Sequence, residues 1–593
     1  MRIAVLVKDR CHYKKCNHEC ERYCPRVRTG DETIVFGEDG RPIISEQLCV
    51  GCGICVNKCP FDAIHIIGIA EELKDDLVHQ FGKNGFTLFR LPVPRKGVVT
   101  GILGPNGIGK TTSIKILSGD IIPNFGNYDE PPGWENTLKN YSGTELYPYF
   151  EKVSKGEIKS VIKPQYVDML PKVIKGKIRA LLEKADERGK LDEVVKKLEL
   201  ESVLDKNMED GTVSGGELQR IAVAAALLRN VDVYFFDEPS SYLDIHQRLK
   251  VARMIRELAA EGKYVVAIEH DLAVLDFLCE NIHLTYGSES VYGVVTLAKA
   301  ERHAINTYLS GYLKEENIRF SEPLEFELHP PRATQVLRPI ISFGKLKKKL
   351  GIFTLDATGG TIHEGESIGV VGANATGKTT FMKMLAKVLE PDEGTIDSDV
   401  KIAYKPQYIK SDFDGSVETL IYAKAPNLIS SAFLKEEVFN ALNIKMLMET
   451  EVCELSGGEL QRVAIALCLA QDADVYLLDE PSAYLDSSQR MRAAKTIRRV
   501  TEKRGKATLI VDHDVYFIDM VSDSLMVFGG NPGKHGISRG PFDLRSGMNL
   551  FLQDVDITFR RDQETKRPRV NKTGSRLDRE QRASGEYYYA AVE

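Results

Sequence analysis

The chain has a single tryptophan, and only three of its eleven cysteines lie beyond residue 59. A secreted disulfide scaffold would not add more than 500 nearly cysteine-free residues, so the eight cysteines crowded at the start point to a metal site. Long apolar runs are missing too. The cleanest are as short as Ile221–Leu228, against the roughly 18–20 residues needed to cross a bilayer, so no transmembrane helix is expected. The opening MRIAVLVKDR holds too short an apolar stretch for a secretory signal, and a cytoplasmic location is expected. Excess charge is absent: 79 Lys+Arg against 85 Asp+Glu leave −6 over 593 residues, which argues against a general polyanion binder. Apolar side chains, by contrast, make up 43%, enough for several cores. At roughly 150 residues per domain, the length suggests three to five domains.

The chain repeats itself. KPQY, SGGELQR and DEPS each occur twice, and Gln165/Gln407, Ser214/Ser456 and Glu238/Glu480 are all 242 residues apart. The GKTT lysines, Lys110 and Lys378, are 268 apart, so the first copy carries about 26 extra residues, near 130–155. That insertion holds Trp134, Tyr141, Tyr147, Tyr149 and Phe150. Its aromatic content suits partner contact, and Ser142 with Glu145 predicts a capped helix starting near residue 143. The domains are expected at 1–72 (Cys-rich head), 73–292 and 336–529 (the two copies), 293–335 (a linker with Pro323, Pro330 and Pro331) and 530–593 (a C-terminal segment). Between Arg560 and Arg582, nine Lys or Arg face four acids. Such a run is either a solvated surface or a contact to RNA phosphates.

Each copy carries phosphate chemistry. Apolar strands at Val98–Leu103 and Ser367–Val371 run into GPNGIGKTT and GANATGKTT, and helical sequence follows. In this strand–loop–helix setting, the glycines let backbone N–H groups cradle phosphates at a helix N-terminus. Asn106, Gly107, Gly109, Lys110, Thr111 and Thr112, with Asn374, Gly377, Lys378, Thr379 and Thr380, are the expected ATP contacts. The lysines would reach the β/γ-phosphates and Thr111 and Thr379 would meet Mg²⁺. Two buried strands end in Asp237-Glu238 and Asp479-Glu480, the aspartates suited to Mg²⁺ and the glutamates to polarising water. Further strands, Tyr264–Ile268 and Thr508–Val511, lead to His270 and His513, each placed to meet a γ-phosphate.

The ordered set of P-loop, Gln, SGGE, DE and His, twice over, resembles the ABC-type ATPases. That resemblance implies an α/β fold with two P-loop domains arranged head to tail. SGGE of one domain would then close over the nucleotide of the other: Ser456, Gly457, Gly458 and Glu459 over the Lys110 site, and Ser214, Gly215, Gly216 and Glu217 over the Lys378 site. It also assigns Gln165 and Gln407 to catalysis and to Mg²⁺. Adenine would stack on aromatic residues upstream, with Phe81 and Phe86 as candidates in the first copy and Phe353 in the second.

Cys49-x2-Cys52-x2-Cys55-x3-Cys59-Pro60 matches the bacterial ferredoxin run, whose fourth cysteine serves the other cluster. Cys11, Cys16, Cys20 and Cys24-Pro25 supply four more thiols. By that crossing rule one [4Fe–4S] cluster takes Cys24, Cys49, Cys52 and Cys55, and the other takes Cys11, Cys16, Cys20 and Cys59, in a small α+β ferredoxin-like head. Zinc in two tetrathiolate sites is the alternative. Cys279, Cys453 and Cys468 are expected to be buried structural thiols.

A ferredoxin-like head, two ABC lobes and an insertion only in the first resemble the ribosome-recycling ABC ATPases, or RNase L inhibitor family, of archaea and eukaryotes; an archaeal source is expected. The resemblance spans all but the last roughly 20 residues. It implies ATP-driven splitting of ribosomes after termination or stalling, with a further role on the small subunit in initiation. The implied partners are the small subunit (through insertion 130–155 and the hinges), rRNA, and a termination or rescue factor. A monomer of two pseudo-symmetric lobes, with no membrane partner, is expected. A redox enzyme would need an electron acceptor site that the sequence lacks. A transporter motor would not need the head, and a cluster-free tandem-ABC translation factor would not need its eight thiols. Ala375 departs from the pattern, standing where the first P-loop has Gly107.

Overall fold

The computed structural model describes residues 2–68, 73, 75–324, 326, 338–397, 400–407 and 413–588. The domain boundaries expected after residues 72 and 335, with Pro330 and Pro331, lie outside the described residues.

Each copy folds around a parallel sheet. In the first lobe the central strands lie in the order Ser160–Lys163, Val233–Asp237, Tyr264–Ile268, Val99–Leu103, Asn281–Ser288. In the second the order is Ile402–Lys405, Val475–Asp479, Ala507–Val511, Ser367–Gly372, Ser524–Asn531. Val233–Asp237 and Val475–Asp479 are buried along their whole length, as strands covered by helices on both faces must be. An antiparallel hairpin flanks each sheet, Leu77–Gln80 with Thr87–Phe89 and Leu346–Leu350 with Phe353–Ala357. The second sheet continues past residue 529 into His535–Asp543.

The head is a small α+β unit. Arg2–Leu6 pairs antiparallel with Ile64–Gly68, and Ile34–Phe36 with Pro42–Ile44. Its core is thin: Ala4, Leu6, Ile34, Ile44, Ala63 and Ile64, with Cys20, Cys24 and Cys55 packed among them. A core this small needs help to hold its fold.

The insertion departs from expectation. Its helices are Trp134–Asn140 and Tyr147–Ser154, so the second starts four residues later than the Ser142/Glu145 pattern predicts. Gly143 takes a left-handed φ of 79° in the intervening turn, and Glu145 pairs with Arg95 instead of capping. The aromatics also face inward. Tyr149 and Phe150 are buried, and Trp134 and Tyr141 pack against the same core as Ile114 and Leu117. What the insertion offers to solvent is polar: Glu135, Asn136, Lys139, Asn140, Ser142, Thr144 and Glu145.

The basic C-terminal run is not simply solvated. It forms the hairpin Phe559–Arg561/Pro568–Val570 and the helix Arg576–Ser584. Arg567 is fully buried and Arg569 nearly so. Arg567 donates to Asp276 of the first lobe (3.2 Å), Asn306 of the linking helix Glu301–Ser310 (3.2 Å) and Tyr516 of the second lobe (2.8 Å). These arginines are spent on joining the lobes. Cys279 and Cys468 are buried as expected, whereas Cys453 is exposed.

Candidate nucleotide and metal sites

The two copies face each other across one cleft of about 1530 Å³. A pocket for one small molecule runs to about 300–1,000 Å³, so there is room for two nucleotides. Every residue expected at ATP or catalysis, from both copies, lines this cleft; among the expected Mg²⁺ ligands only Asp479 does not, being buried behind its wall.

The P-loops are built alike. Strands Val99–Leu103 and Ser367–Gly372 end at loops whose helices start at Lys110 and Lys378. Gly109 and Gly377 hold φ of 88° and 96°. A Cβ on Gly109 would meet the Phe86 ring at 2.9 Å, and one on Gly377 the Phe353 ring at 3.0 Å. Phe86 and Phe353 are therefore equivalent, each packed on its own P-loop, while Phe81 stands 45% exposed at the mouth. Lys110 Nζ donates to the carbonyls of Gly104 (2.9 Å) and Pro105 (2.6 Å), and Lys378 Nζ to those of Gly372 (3.0 Å) and Ala373 (2.7 Å). Burial pushes both ammonium groups down. A phosphate anion would satisfy these charges.

The SGGE strings are capping boxes. The Ser214 N–H donates to Glu217 (2.7 Å) and the Glu217 N–H to Ser214 Oγ (3.3 Å); Ser456 and Glu459 repeat the pattern. Each opens a 14-residue helix toward the cleft. A Cβ on Gly216 would lie 4.0 Å from the Asn374 amide of the opposite P-loop.

Glu238 and Glu480 both sit in the left-handed region at φ 48°, a strained place for a non-glycine residue at a functional site. Each strained carbonyl is gripped: Lys163 (3.0 Å) and Gln219 (2.7 Å) donate to that of Glu238, Lys405 (3.2 Å) and Gln461 (2.6 Å) to that of Glu480. Gln165 Nε2 donates to the Glu238 carboxylate at 2.7 Å, and Gln407 Nε2 to that of Glu480 at 2.8 Å. His270 Nε2 stands 3.4 Å from Glu238, and His513 Nε2 3.7 Å from Glu480. Burial holds both imidazoles neutral, and His270 has neither ring nitrogen hydrogen-bonded.

The Thr111 hydroxyl donates to Asp237 at 3.0 Å, and desolvation lifts Asp237 to about 6. Both carboxylate oxygens of Asp479 are buried without a hydrogen bond. Buried carboxylates beside a threonine hydroxyl fit a hard cation with oxygen ligands.

Sequence reasoning missed the residues that tie the copies together. The Asn374 N–H donates to Asp244 (3.0 Å) across the cleft, and the Asn106 N–H to Asp486 (3.3 Å). The other oxygen of each aspartate caps its own helix, at Gln247 and Gln489. Tyr242 and Tyr484 meet edge to face at 6.0 Å between the lobes. The Ser487 hydroxyl donates to the His270 carbonyl at 2.6 Å. The signal was there: YLD repeats at the same offset as DEPS, and the lysines of KPQY are Lys163 and Lys405.

In the head, Cys24, Cys49, Cys52 and Cys55 line one cavity with Ile34, Ile44 and Ile66. Burial pushes the Cys20 thiol up, and the nearby Cys59, Cys16 and Cys11 push it in the same direction to a smaller extent. Desolvation raises Cys20 to about 12 and Cys55 to about 11, so a bound metal is what would keep them thiolates. Among the described residues no three His, Cys, Asp or Glu converge tightly enough for one ion. Thiols spread around a cavity suit a multi-iron cluster better than a tetrahedral zinc with sulfurs about 2.3 Å away.

Comparison with known proteins agrees with this anatomy. The family described as "ABC transporter" matches residues 94–241 and 355–483, "Possible Fer4-like domain in RNase L inhibitor, RLI" matches 1–32, and "4Fe-4S binding domain" matches 42–65. The chain is 53% identical to an "Uncharacterized ABC transporter ATP-binding protein" of Methanocaldococcus jannaschii, over 99% of this chain and 98% of that one. It is 45% identical to "Translation initiation factor RLI1" of Saccharomyces cerevisiae, with the same coverage. The matches reach through the C-terminal 20 residues that were expected to stand apart. A solved structure described as "Model of ribosome-bound archaeal Pelota and ABCE1" superposes with a TM-score of 0.94 at 53% identity, covering 100% of this chain and 99% of that one. Among the described residues no helix is long and apolar enough to cross a membrane.

Proposed function

The chain belongs to the RNase L inhibitor family of ABC-type ATPases, and from that premise we propose that it splits ribosomes by closing its two lobes on a pair of ATP molecules. It is an ATPase with a 4Fe–4S-binding head. The observation that carries the reading is the reciprocal pair of bonds, Asn106 to Asp486 and Asn374 to Asp244, by which each P-loop is finished by the other lobe.

Lys110 and Lys378 bind the β/γ-phosphates, and the helix N-termini at Ser456–Glu459 and Ser214–Glu217 meet the γ-phosphate from the opposite lobe. Glu238 and Glu480 orient water, with Gln165 and Gln407 fixing their carboxylates. His270 and His513, held neutral, donate toward the γ-phosphate. Thr111, Asp237 and Gln165, and Thr379, Asp479 and Gln407, would hold Mg²⁺, which neutralises charge on the phosphate oxygens. The clusters would be two, one on Cys24, Cys49, Cys52 and Cys55, the other on Cys11, Cys16, Cys20 and Cys59, and their role is to stiffen the head.

Two nucleotides shared between lobes favour the closed state. Turning a 1:99 equilibrium into 99:1 takes about 5.5 kcal/mol. Closure moves the head against the ribosome and separates the subunits; hydrolysis reopens the lobes and frees the small subunit. The insertion's polar face, not its aromatics, is the surface that meets the small subunit. With ribosomes, a termination or rescue factor and ATP, light scattering should fall as subunits separate; scattering that stays constant refutes the proposal.

A further inference from the structure

Two lysines stand where the water-orienting glutamates leave the sheet. Lys163 ends the strand Ser160–Lys163 and Lys405 ends Ile402–Lys405, each two residues before the glutamine of its copy. Pro164 and Pro406, with no N–H to continue the ladder, follow directly. Both lysine side chains are almost fully buried, at 1% and 2% exposed. A charge at that depth is costly unless it is paired or hydrogen-bonded. Here the bonds go to two successive carbonyls: Lys163 Nζ donates to those of Asp237 (2.9 Å) and Glu238 (3.0 Å), and Lys405 Nζ to those of Asp479 (2.7 Å) and Glu480 (3.2 Å). Burial works against both charges, while Asp237, Glu238 and Glu269 around Lys163, and Asp479, Glu480 and Asp512 around Lys405, sustain them.

The choice of carbonyls is informative. In an extended strand successive carbonyls point to opposite sides, out of reach of one amine. They turn to the same side only where the chain coils at the residue that follows the first of them. Glu238 and Glu480 coil there, at the left-handed φ of 48°. Each lysine thus makes its full set of bonds only with the strained turn, and loses one if the turn relaxes. An ammonium, with three donors on one atom, suits two acceptors this close. Strain of this kind persists only where the surroundings over-determine it. The same short segment also holds the far end of the glutamate. Gln165 donates to the Glu238 carboxylate and Gln407 to that of Glu480, so Lys163-Pro164-Gln165 and Lys405-Pro406-Gln407 each grip one glutamate by carbonyl and carboxylate together.

We propose that Lys163 and Lys405 are positioning residues for hydrolysis: each locks the turn that aims its glutamate at the attacking water, and ties that turn to the glutamine two residues on. The proposal rests on the role given to the glutamates above. It also accounts for a charge kept inside the fold. A methionine of the same length would fill the space and leave the turn free to relax.

The test is single-turnover phosphate release by the full chain with its clusters, in a Glu480→Gln background so that the first site alone turns over. Lys163→Met, which keeps the length and loses the donors, should slow hydrolysis about thirtyfold, the scale of a small misplacement of a reacting group. ATP affinity from equilibrium titration should stay within about twofold, as for an interaction that acts on the chemical step. Lys163→Arg, whose guanidinium can serve both carbonyls, should recover most of the loss. Adding Glu238→Gln gives the discriminating readout: with no carboxylate to aim, Lys163→Met should change the residual rate by less than about twofold. Lys405→Met should behave likewise at the second site in a Glu238→Gln background. If Lys163→Met does not fold, Lys163→Gln, which serves one carbonyl only, is read by the same measurements. Hydrolysis by the lysine variant within about twofold of the background protein overturns the inference. So does an equal fold loss with and without Glu238→Gln, which marks a purely structural lysine. A Glu238→Gln chain that hydrolyses ATP normally overturns the glutamate's role itself; a slow Glu238→Gln beside a normal Lys163→Met overturns the lysine's role alone.

Discussion

The two composite sites share a plan and differ in what surrounds it. Both have a P-loop lysine on its own carbonyls, a left-handed glutamate gripped by lysine and glutamine, a neutral buried histidine and a cross-lobe aspartate. Around the first, Ser241 donates to the Glu238 carboxylate at 3.0 Å, where the second has Ala483. Ser487 of lobe 2 donates to the His270 carbonyl, whereas the matching first residue of the lobe 1 helix is Ile245, which has no hydroxyl to offer. The second P-loop places Ala375 at φ 57° where the first has Gly107 at φ 71°. A Cβ on Gly107 would meet Glu289 at 2.5 Å; the second copy has Pro532 at the place of Glu289. The first glutamate's carboxylate and the first histidine's carbonyl each therefore accept a serine hydroxyl bond that the second site lacks, and they should be the more rigidly placed.

The C-terminal segment repeats this inequality. Asp276 and Asp519 stand six residues after His270 and His513. Asp276 is taken by Arg567 (3.2 Å) and Arg569 (3.0 Å), Asp519 by Arg561 (3.0 Å) and the Tyr588 hydroxyl. The largest effect that probes the comparison is here. Arg567→Ala leaves Asp276 and Tyr516 short of a buried partner and should lower stability by about 3–5 kcal/mol in denaturant unfolding; Arg561→Ala, at a less buried arginine, should lower it by clearly less. Equal losses would break the asymmetry.

Next come the glutamates. Glu238→Gln should slow turnover at the first site by about a hundredfold, the range for a positioned base, and Glu480→Gln should do the same at the second, with ATP binding kept in both. Single-turnover hydrolysis that is unchanged in both variants would remove the catalytic assignment. Those backgrounds isolate the smaller effects. Ser487→Ala should lower turnover about three- to tenfold when only the first site is active, with Ser487→Thr restoring it, and should be silent when only the second is active. Ser241→Ala should lower first-site turnover about threefold, and Ala483→Ser should raise second-site turnover by a similar factor, each measured by phosphate release. Loss of the clusters through Cys49→Ser gives the smallest effect on the lobes themselves: ATP binding should persist while iron content falls, since no thiol of the head lies in the cleft.

Much of this was legible without coordinates. The repeated strings placed both P-loops, both glutamates proposed to orient water and both histidines, because phosphate chemistry needs those residue types at fixed spacings. The eight thiols announced the head for the same reason. What escaped were contacts whose logic is three-dimensional. Asp244 and Asp486 belong to no phosphate motif; each caps its own helix, and only the facing lobe makes them cross-lobe ligands. Trp134, Tyr149 and Phe150 looked like a docking surface because sequence shows aromatic content and not the direction it faces. Arg567 sat in a run whose net charge suggested solvent or RNA, since nothing in the run shows that Asp276, nearly three hundred residues away, lies beside it.

The account rests on closure by bound ATP, not its hydrolysis, doing the work on the ribosome. The direct test is sucrose-gradient sedimentation of ribosomes with a rescue factor, ATP and the chain carrying both Glu238→Gln and Glu480→Gln. Ribosomes separated into subunits, with the protein retained on the small one, is the expected result; whole ribosomes with the protein bound would contradict it.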